Sequence, residues 1–208
     1  MSPHDERVLQ RPICLALTGA SGAQYGLRLL QCLLEKKFSV HLLISDAAAQ
    51  VIELETDLSL PDGAAARRSY LAAQYAADEH SLVLPEKYEW TAAVASGSNA
   101  PRAMVICPCS SGSLSAIATG ASNNLIERAA DVVIKERRQL VLVHREMPVS
   151  AIHLEHQLKL AQLGVTVMPA SPGFYHRPQT VDDMVDFVVA RILDHLQVPH
   201  ALMQRWGA

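Results

Sequence analysis

A glycine-containing turn is the first feature of this chain that could do chemistry. The sequence Gly19-Ala20-Ser21-Gly22-Ala23 follows the apolar run Ile13 to Leu17 and precedes a segment of helical period, Tyr25 to Leu34. A strand that passes through glycines into a helix presents free backbone N–H groups and the positive end of the helix dipole to an anion. The turn therefore predicts a phosphate site, although the same pattern also serves ordinary strand-to-helix connections.

Small hydroxyl side chains follow two further apolar runs of strand length. Ser45 comes after the second run, and Ser110-Ser111-Gly112-Ser113 comes after the third. Ligands of open parallel sheets bind beyond the carboxyl ends of the strands. Three such ends that offer Ser and Gly without a large side chain suit a phosphate and a flat heteroaromatic ring close to the backbone. Serine is also a good helix N-cap, which leaves a structural role open.

Four cationic residues strengthen the prediction of an anion site. Arg128 and Lys135 lie seven residues apart in one helical segment and therefore share a face. Arg145 follows the predicted strand Gln139 to Val143, and Arg191 lies in the last helical segment. Taken singly, each of these residues can instead be a surface charge.

Two carboxylates are candidates for a general acid or base. Glu55 ends the second helical segment, and Glu146 stands beside Arg145. Burial would prepare either group for proton transfer, whereas a routine ion pair is the alternative for both.

Cysteine and histidine spacing predicts no metal site. Cys107-Pro108-Cys109 has one residue between its sulfurs, and His153 and His156 have no evident third ligand. All four cysteines of the chain lie in apolar or helical context. That context is typical of a reducing compartment, and we expect a cytoplasmic protein.

The elements that must position these residues follow a β-α-β rhythm. Strands that are apolar along their full length imply burial on both faces. We therefore predict an α/β fold of three layers, a Rossmann-like (flavodoxin-like) parallel sheet with helices on both faces. The predicted strands are Ile13 to Thr18, Val40 to Ile44, Ala103 to Cys107, Gln139 to Val143 and Val165 to Met168. The predicted helices are Tyr25 to Glu35, Ala47 to Leu54, Leu114 to Ala118, Leu125 to Arg137, Ile152 to Leu163 and Val181 to Leu196.

Length and composition predict one domain over residues 1–208, with an N-terminal arm at 1–11 and a C-terminal arm at 197–208. Residues 60–99 are less regular, and we expect an alanine-rich helix and an edge hairpin there. The formal charge of -3 and the pI of about 6.3 argue against nucleic-acid binding. No apolar run is as long as a bilayer span, and no membrane association is predicted.

Six separated motifs, in this order, resemble those of the flavin prenyltransferases of the UbiX type. The resemblance extends from about Ile13 to Trp206. The motifs are Gly19-Ala20-Ser21-Gly22-Ala23, Cys107-Pro108-Cys109-Ser110, Leu125-Ile126-Glu127-Arg128-Ala129-Ala130-Asp131-Val132, Lys135-Glu136-Arg137-Arg138, Arg145-Glu146 and Pro172-Gly173-Phe174-Tyr175-His176-Arg177-Pro178.

The resemblance implies a Rossmann-like subunit of a homo-oligomer, a dodecamer in the family, that binds FMN. It implies an enzyme that joins a dimethylallyl group, taken from dimethylallyl phosphate, to N5 and C6 of reduced FMN without a metal. The product, prenylated FMN, would serve a decarboxylase of the UbiD type, with ubiquinone biosynthesis as the associated pathway.

The resemblance also assigns roles residue by residue. The implied FMN contacts are Gly19, Ala20, Ser21, Ser45, Ser110, Ser111, Gly112, Ser113 and Arg145. The implied contacts of dimethylallyl phosphate are Arg128, Lys135, Tyr175 and Arg191, and the implied catalytic residues are Ser21, Glu55, Lys135 and Glu146. The cations would neutralise charge on the departing phosphate, and Glu146 would move protons with Ser21 as a relay.

Three residues are less defined. Trp90 and Trp206 are candidates for a π-rich wall around an allylic cation, with ordinary packing as the alternative. His144 stands before Arg145 where relatives often carry another residue.

Two other functions share the predicted fold. An FMN-dependent cysteine decarboxylase would carry Pro-Ala-Ser-Ala-Asn-Thr and Pro-x-Met-Asn stretches, where this chain has residues 108–113 and 172–175 of different sequence. A non-catalytic flavin-binding subunit would have no need for Lys135, Glu146, Tyr175 and Arg191.

Overall fold

The computed structural model describes residues 11–203 and contains one six-stranded, wholly parallel sheet of order β3-β2-β1-β4-β5-β6. Its strands are β1 (Ile13–Leu17), β2 (Val40–Ile44), β3 (Leu82–Val83), β4 (Ala103–Cys109), β5 (Gln139–His144) and β6 (Thr166–Pro169). Its α-helices are α1 (Ala23–Glu35), α2 (Asp46–Glu55), α3 (Ala64–Gln74), α4 (Ser111–Thr119), α5 (Leu125–Lys135), α6 (Ala151–Gln162) and α7 (Val181–His195).

The sheet is covered on both faces because its central strands are apolar throughout. Every residue of β1 is buried, with alternate side chains in different layers. Ile13, Leu15 and Leu17 pack with α1 and α7, whereas Cys14 and Ala16 pack with α4 and α5. The predicted three-layer α/β fold is confirmed.

The strand order reverses next to β1, which pairs with β2 on one side and β4 on the other. The helices that follow the strands on either side of this reversal lie on opposite faces of the sheet. A crevice therefore opens between them, beyond the carboxyl ends of the strands. The predicted strand ends at Gly19, Ser45 and Ser110 all lie at this edge, which we call the carboxyl edge.

The sheet differs from expectation at its outer strand and in the length of β4. The predicted edge hairpin is wrong, because β3 is a two-residue strand that lies parallel to β2, with Leu82 opposite Val40. Helix α3 lies in the crossover that a parallel connection requires. Strand β4 runs two residues past the predicted Cys107 and shifts its register against β5 between Ile106 and Cys109.

The chain ends are described only in part. Residues 1–10 and 204–208, which include most of the predicted N-terminal arm and Trp206, lie outside the described residues. Of the predicted C-terminal arm, Val198 is buried in the core and donates its N–H to Leu193. Among residues 11–203, no helix combines the length and the apolar character that crossing a membrane requires.

Candidate active site

The loops after β1 and β4 are tied together by a buried threonine. The Thr18 hydroxyl donates to the Pro108 carbonyl at 2.9 Å and accepts the Ser110 N–H at 2.8 Å. Thr18 is only 2 % exposed, so neither bond competes with water. This connection fixes the glycine turn relative to the serine-rich start of α4.

Glycine is required at two positions of the turn for different reasons. A Cβ on Gly19 would lie 2.5 Å from the Cβ of Ala47, so the turn can approach the start of α2 only without a side chain. Gly22 has φ 101°, in the left-handed region that favours glycine, and it is the N-cap of α1. The predicted anion turn is therefore built by close packing and by backbone conformation.

The carboxylate of Glu55 lies on the amino end of α1. It accepts the backbone N–H groups of Gly22 at 2.8 Å and of Ala23 at 3.1 Å. Burial raises the pKa of Glu55, but the hydrogen bonds from Ser21, Gly22 and Ala23 and the charge of Arg145 outweigh it, and the net pKa is below its ordinary value. Two of the helix N–H groups that the sequence predicts for an anion are thus occupied by the protein's own carboxylate.

A cavity of about 440 Å³ adjoins this carboxylate at the carboxyl edge. Arg145 reaches the same cavity because its backbone N–H continues the β4–β5 pairing, donating to the Cys109 carbonyl at 3.1 Å. The cavity combines polar groups from the strand ends with an apolar wall from β6 and α7. It is lined by Ser21, Gly22, Gln24, Tyr25, Glu55, Arg145, Ala170, Val181 and Val185.

A second cavity, of about 340 Å³, lies where α2, α4 and α5 begin. Ser45 and Ser113 line it, together with Asp46 and Lys87, which form an ion pair of 2.6 Å. Ala47 lines this cavity and contacts Gly19, so the glycine turn stands between the two cavities. An elongated ligand with an anionic end and a flat ring fits this arrangement, with the anion near the helix amino ends.

The side chain of Glu146 belongs to a separate hydrogen-bonded group after β5. Its Oε2 lies 2.5 Å from the Ser111 hydroxyl, and its Oε1 accepts the Met147 N–H at 3.2 Å. These two hydrogen bonds and the nearby histidines hold the pKa of Glu146 below its ordinary value. His144 Nε2 lies 3.1 Å from the same hydroxyl.

None of the three predicted substrate-binding cations lines either cavity within one chain. The Arg128 Nε donates to the Ala95 carbonyl at 3.2 Å, and its Nη1 pairs with Asp131 at 2.8 Å. The Lys135 Nζ pairs with Glu136 at 2.5 Å at the end of α5. Arg191 pairs with Asp194 at 2.6 Å in the later part of α7.

The distance between Lys135 and Glu146 follows from the topology. Lys135 precedes the amino end of β5 and Glu146 follows its carboxyl end, so the two are separated by about 20 Å of strand. The shared face predicted for Arg128 and Lys135 is present, because both contact the segment 93–99.

The aromatic candidates lie outside the two cavities. Tyr175 is exposed in the loop after β6 and has an edge-to-face contact with Phe187, with ring centroids 5.6 Å apart. Trp90 is 48 % exposed, and its ring centroid is 6.4 Å from that of Tyr88. Among the described residues no cluster of His, Cys, Asp and Glu could hold a metal ion.

Several site residues were not anticipated from sequence. Tyr25 and Gln24 line the larger cavity, and Gln157 contacts His144 at 2.9 Å from the next helix. The position of Tyr25 directly after the glycine turn is a signal that could have been used. Gln157 carries no such signal, because its partner is 13 residues away along the chain.

Comparison with known proteins defines first the class and then the family. The flavoprotein family model matches residues 1–193, and the chain is thus a flavoprotein by fold and by sequence. The flavin prenyltransferase UbiX of Pseudomonas aeruginosa is 58% identical over 195 residues, which cover 94% of this chain and 93% of the relative.

Two solved structures are similar over nearly the whole chain. A complex of AnUbiX (PadA1) with FMN and dimethylallyl pyrophosphate has a TM-score of 0.84 at 36% identity. The match covers 95% of this chain and 98% of the AnUbiX chain. A dodecameric FMN-dependent UbiX-like decarboxylase from Escherichia coli O157:H7 has a TM-score of 0.83 at 42% identity, and covers 95% and 100%. This chain belongs to the UbiX flavin prenyltransferases.

Proposed function

We propose that this protein joins the dimethylallyl group of dimethylallyl phosphate to N5 and C6 of reduced FMN and releases phosphate. One structural observation carries the proposal beyond family membership. The larger cavity places a hydroxyl, a carboxylate and a guanidinium, from Ser21, Glu55 and Arg145, opposite the apolar side chains of Val181 and Val185. A reaction between an anionic allylic substrate and a flat ring needs these groups together.

The two cavities divide the binding of FMN between them in this proposal. The smaller cavity takes the phosphate against Ser45 and Ser113 and the amino ends of α2 and α4. The larger cavity takes the ring beside Ser21 and Arg145. FMN supplies the nucleophilic ring atoms, and the protein supplies orientation, charge and proton transfer.

We propose that a neighbouring subunit completes the site. Lys135 and Arg191 are exposed charges in one chain, and in this proposal contact with another copy brings them to its carboxyl edge. The surface around the site suits such contacts, because Leu54, Met147, Phe174 and Val181 are all more than 60% exposed. The dodecamer of the Escherichia coli relative supports a homo-oligomer, for which we propose the same subunit number.

The cations and carboxylates have distinct roles in this proposal. Arg128, Lys135 and Arg191, with Tyr175, would hold the substrate phosphate and neutralise charge as it departs, so that no metal is required. Glu146, which is ionised, would accept a proton from the ring and pass it to the phosphate, with Ser21 as relay. The backbone N–H groups of Gly22 and Ala23 that Glu55 accepts suit a fixed negative charge that holds the glycine turn.

A mass measurement tests the reaction directly. The protein is incubated anaerobically with reduced FMN and dimethylallyl monophosphate, with the diphosphate in a parallel sample, and the extracted flavin is weighed by mass spectrometry. We expect a flavin heavier by one C5H8 unit and the release of one phosphate. An unchanged flavin mass from protein that binds FMN would contradict the proposal. Release of CO2 from a peptidyl-cysteine substrate would instead favour the cysteine decarboxylase.

A mixing experiment tests the shared site. Lys135→Ala and Glu146→Gln should each abolish most turnover. When the two variants are unfolded and refolded together, mixed oligomers should recover part of the parent activity, since some sites then combine an intact Lys135 with an intact Glu146. Mixed oligomers no more active than either variant would contradict a site built from two chains.

Two further parts of the proposal concern the cellular context. A decarboxylase of the UbiD type would receive the prenylated FMN. The four cysteines are unpaired and buried, which suits the reducing cytoplasm as the location.

A further inference from the structure

A buried histidine adjoins the proposed proton carrier without lining either cavity. His144, the last residue of β5, is 4 % exposed. Only Thr18 and His144 are buried polar residues among residues 11–203. Because an unsatisfied buried imidazole is destabilising, the partners of both ring nitrogens define what this residue does.

The hydrogen bonds around His144 form a directed series. Glu146, with its lowered pKa, is ionised and can only accept, so the single Ser111 hydroxyl hydrogen points to Glu146 Oε2. The Ser111 oxygen must then accept from His144, which places the ring hydrogen on Nε2. The remaining nitrogen, Nδ1, accepts from the Gln157 amide at 2.9 Å.

The other groups around His144 leave this tautomer neutral. Burial lowers the pKa of His144, the facing ring of His153 on α6 lowers it further, and Glu146 opposes the shift. Cys109, its register neighbour on β4, is an uncharged thiol because burial raises its pKa to about 12.

We propose that His144 is a positioning residue for Glu146: its Nε2–H holds the Ser111 hydroxyl on the Glu146 carboxylate, and the Gln157 amide donates to Nδ1 of the same tautomer. The part Glu146 plays in turnover rests on the proposed function, but the hydrogen-bonded series does not. A protonated Glu146 could donate to Ser111 only if the hydroxyl reversed, and the His144 N–H opposes that reversal. The series therefore favours the carboxylate form.

Infrared titration of the folded, FMN-loaded protein tests this inference without reference to turnover. The carboxyl band of Glu146 is the one that Glu146→Gln removes. In His144→Leu its titration midpoint should rise by on the order of half a pH unit to one unit, as expected for the loss of one hydrogen bond between neutral groups that supports the bond to the carboxylate. His144→Gln, which keeps an N–H donor at nearly the Nε2 position, should restore most of the parent midpoint.

Two further variants control for structural effects. Gln157→Leu, on the partly exposed face of α6, should raise the midpoint less than His144→Leu, and it serves as the test if His144→Leu does not fold. His156→Gln, a histidine on the same helix outside the series, should leave the midpoint unchanged. The inference would be overturned if the midpoint were unchanged in both His144→Leu and Gln157→Leu. It would also be overturned if His144→Gln shifted the midpoint as much as His144→Leu does.

The pH profile of single-turnover prenyl transfer then separates the two proposals. Its acid limb should move with the infrared midpoint in each variant, with FMN affinity unchanged. If the midpoint moves as expected while no variant and no parent protein transfers a prenyl group, the proposed function fails and the positioning role of His144 stands.

Discussion

One carboxylate lies against the loop after β1 and another lies within the loop after β5, but the two are held in different ways. Glu55 accepts backbone N–H groups from the glycine turn, whose close packing on α2 fixes the turn itself. Glu146 is oriented by side chains, through Ser111 and His144. The first carboxylate is part of a closely packed binding scaffold, whereas the second depends on a side-chain hydroxyl and one neighbouring backbone N–H.

The largest expected effect concerns the carboxylate held by side chains. Glu146→Gln should lower the rate of prenyl transfer by roughly 10²–10⁴-fold, the usual contribution of a general acid or base, while FMN stays bound. Single-turnover kinetics and flavin fluorescence measure the two properties. Glu155→Gln, an exposed position on α6, is the matched control and should keep the parent rate. Loss of FMN in Glu146→Gln would instead assign that carboxylate to the binding scaffold.

The next largest effect comes from a substitution that tests the close packing of the glycine turn after β1. Gly19→Ala should destabilise the protein by about 1–3 kcal/mol, because the new Cβ would overlap Ala47. Urea unfolding measures the loss. Gly112→Ala is the control for stability, since a Cβ there meets nothing within 4 Å. Equal stability of the two variants would show that the turn relaxes freely and is not rigid.

Glu55→Gln should have a smaller effect on stability and a clear effect on binding. The hydrogen bonds to Gly22 and Ala23 are charge-assisted but partly exposed, so their loss should cost about 1 kcal/mol. FMN affinity, measured by fluorescence titration, should fall as the turn loosens. Glu53→Gln, an exposed residue of the same helix, should match the parent protein. A normal FMN affinity with a lost turnover would make Glu55 a proton carrier like Glu146.

The smallest effect is the pH dependence of the difference in unfolding free energy between the parent protein and Glu55→Gln. The pKa of Glu55 is lower in the folded protein than in the unfolded chain. Its contribution to the free energy of unfolding is therefore present above about pH 4.3 and fades as the pH falls through the folded pKa. Urea unfolding at a series of pH values should show parent and Glu55→Gln converging in acid. A constant difference down to pH 3 would mean that the carboxylate charge does not stabilise the turn.

Among the predicted site residues, those that follow a strand lie at the carboxyl edge, because the strand topology places them there. Ser21, Ser45 and Ser113 follow parallel strands, and all three line cavities at the carboxyl edge. Lys135 and Arg191 lie in helices, away from the carboxyl ends of the strands. Helical periodicity predicts on which face of its helix such a residue lies, but not which other element that face contacts. Contacts between side chains distant in sequence, such as Gln157 with His144, escaped prediction for the same reason.

The sequence by itself determined the three-layer fold, the glycine turn and the family motifs, because periodicity, glycine conformation and short motifs are local properties of the chain. It also located β2 correctly and the other main strands to within two residues. Only the tertiary structure decided that β3 is parallel, that Glu55 occupies the helix amino end, and that His144 contacts both Gln157 and the hydroxyl that Glu146 accepts. Each of these depends on which distant groups pack together, and packing distances are set by the folded chain as a whole.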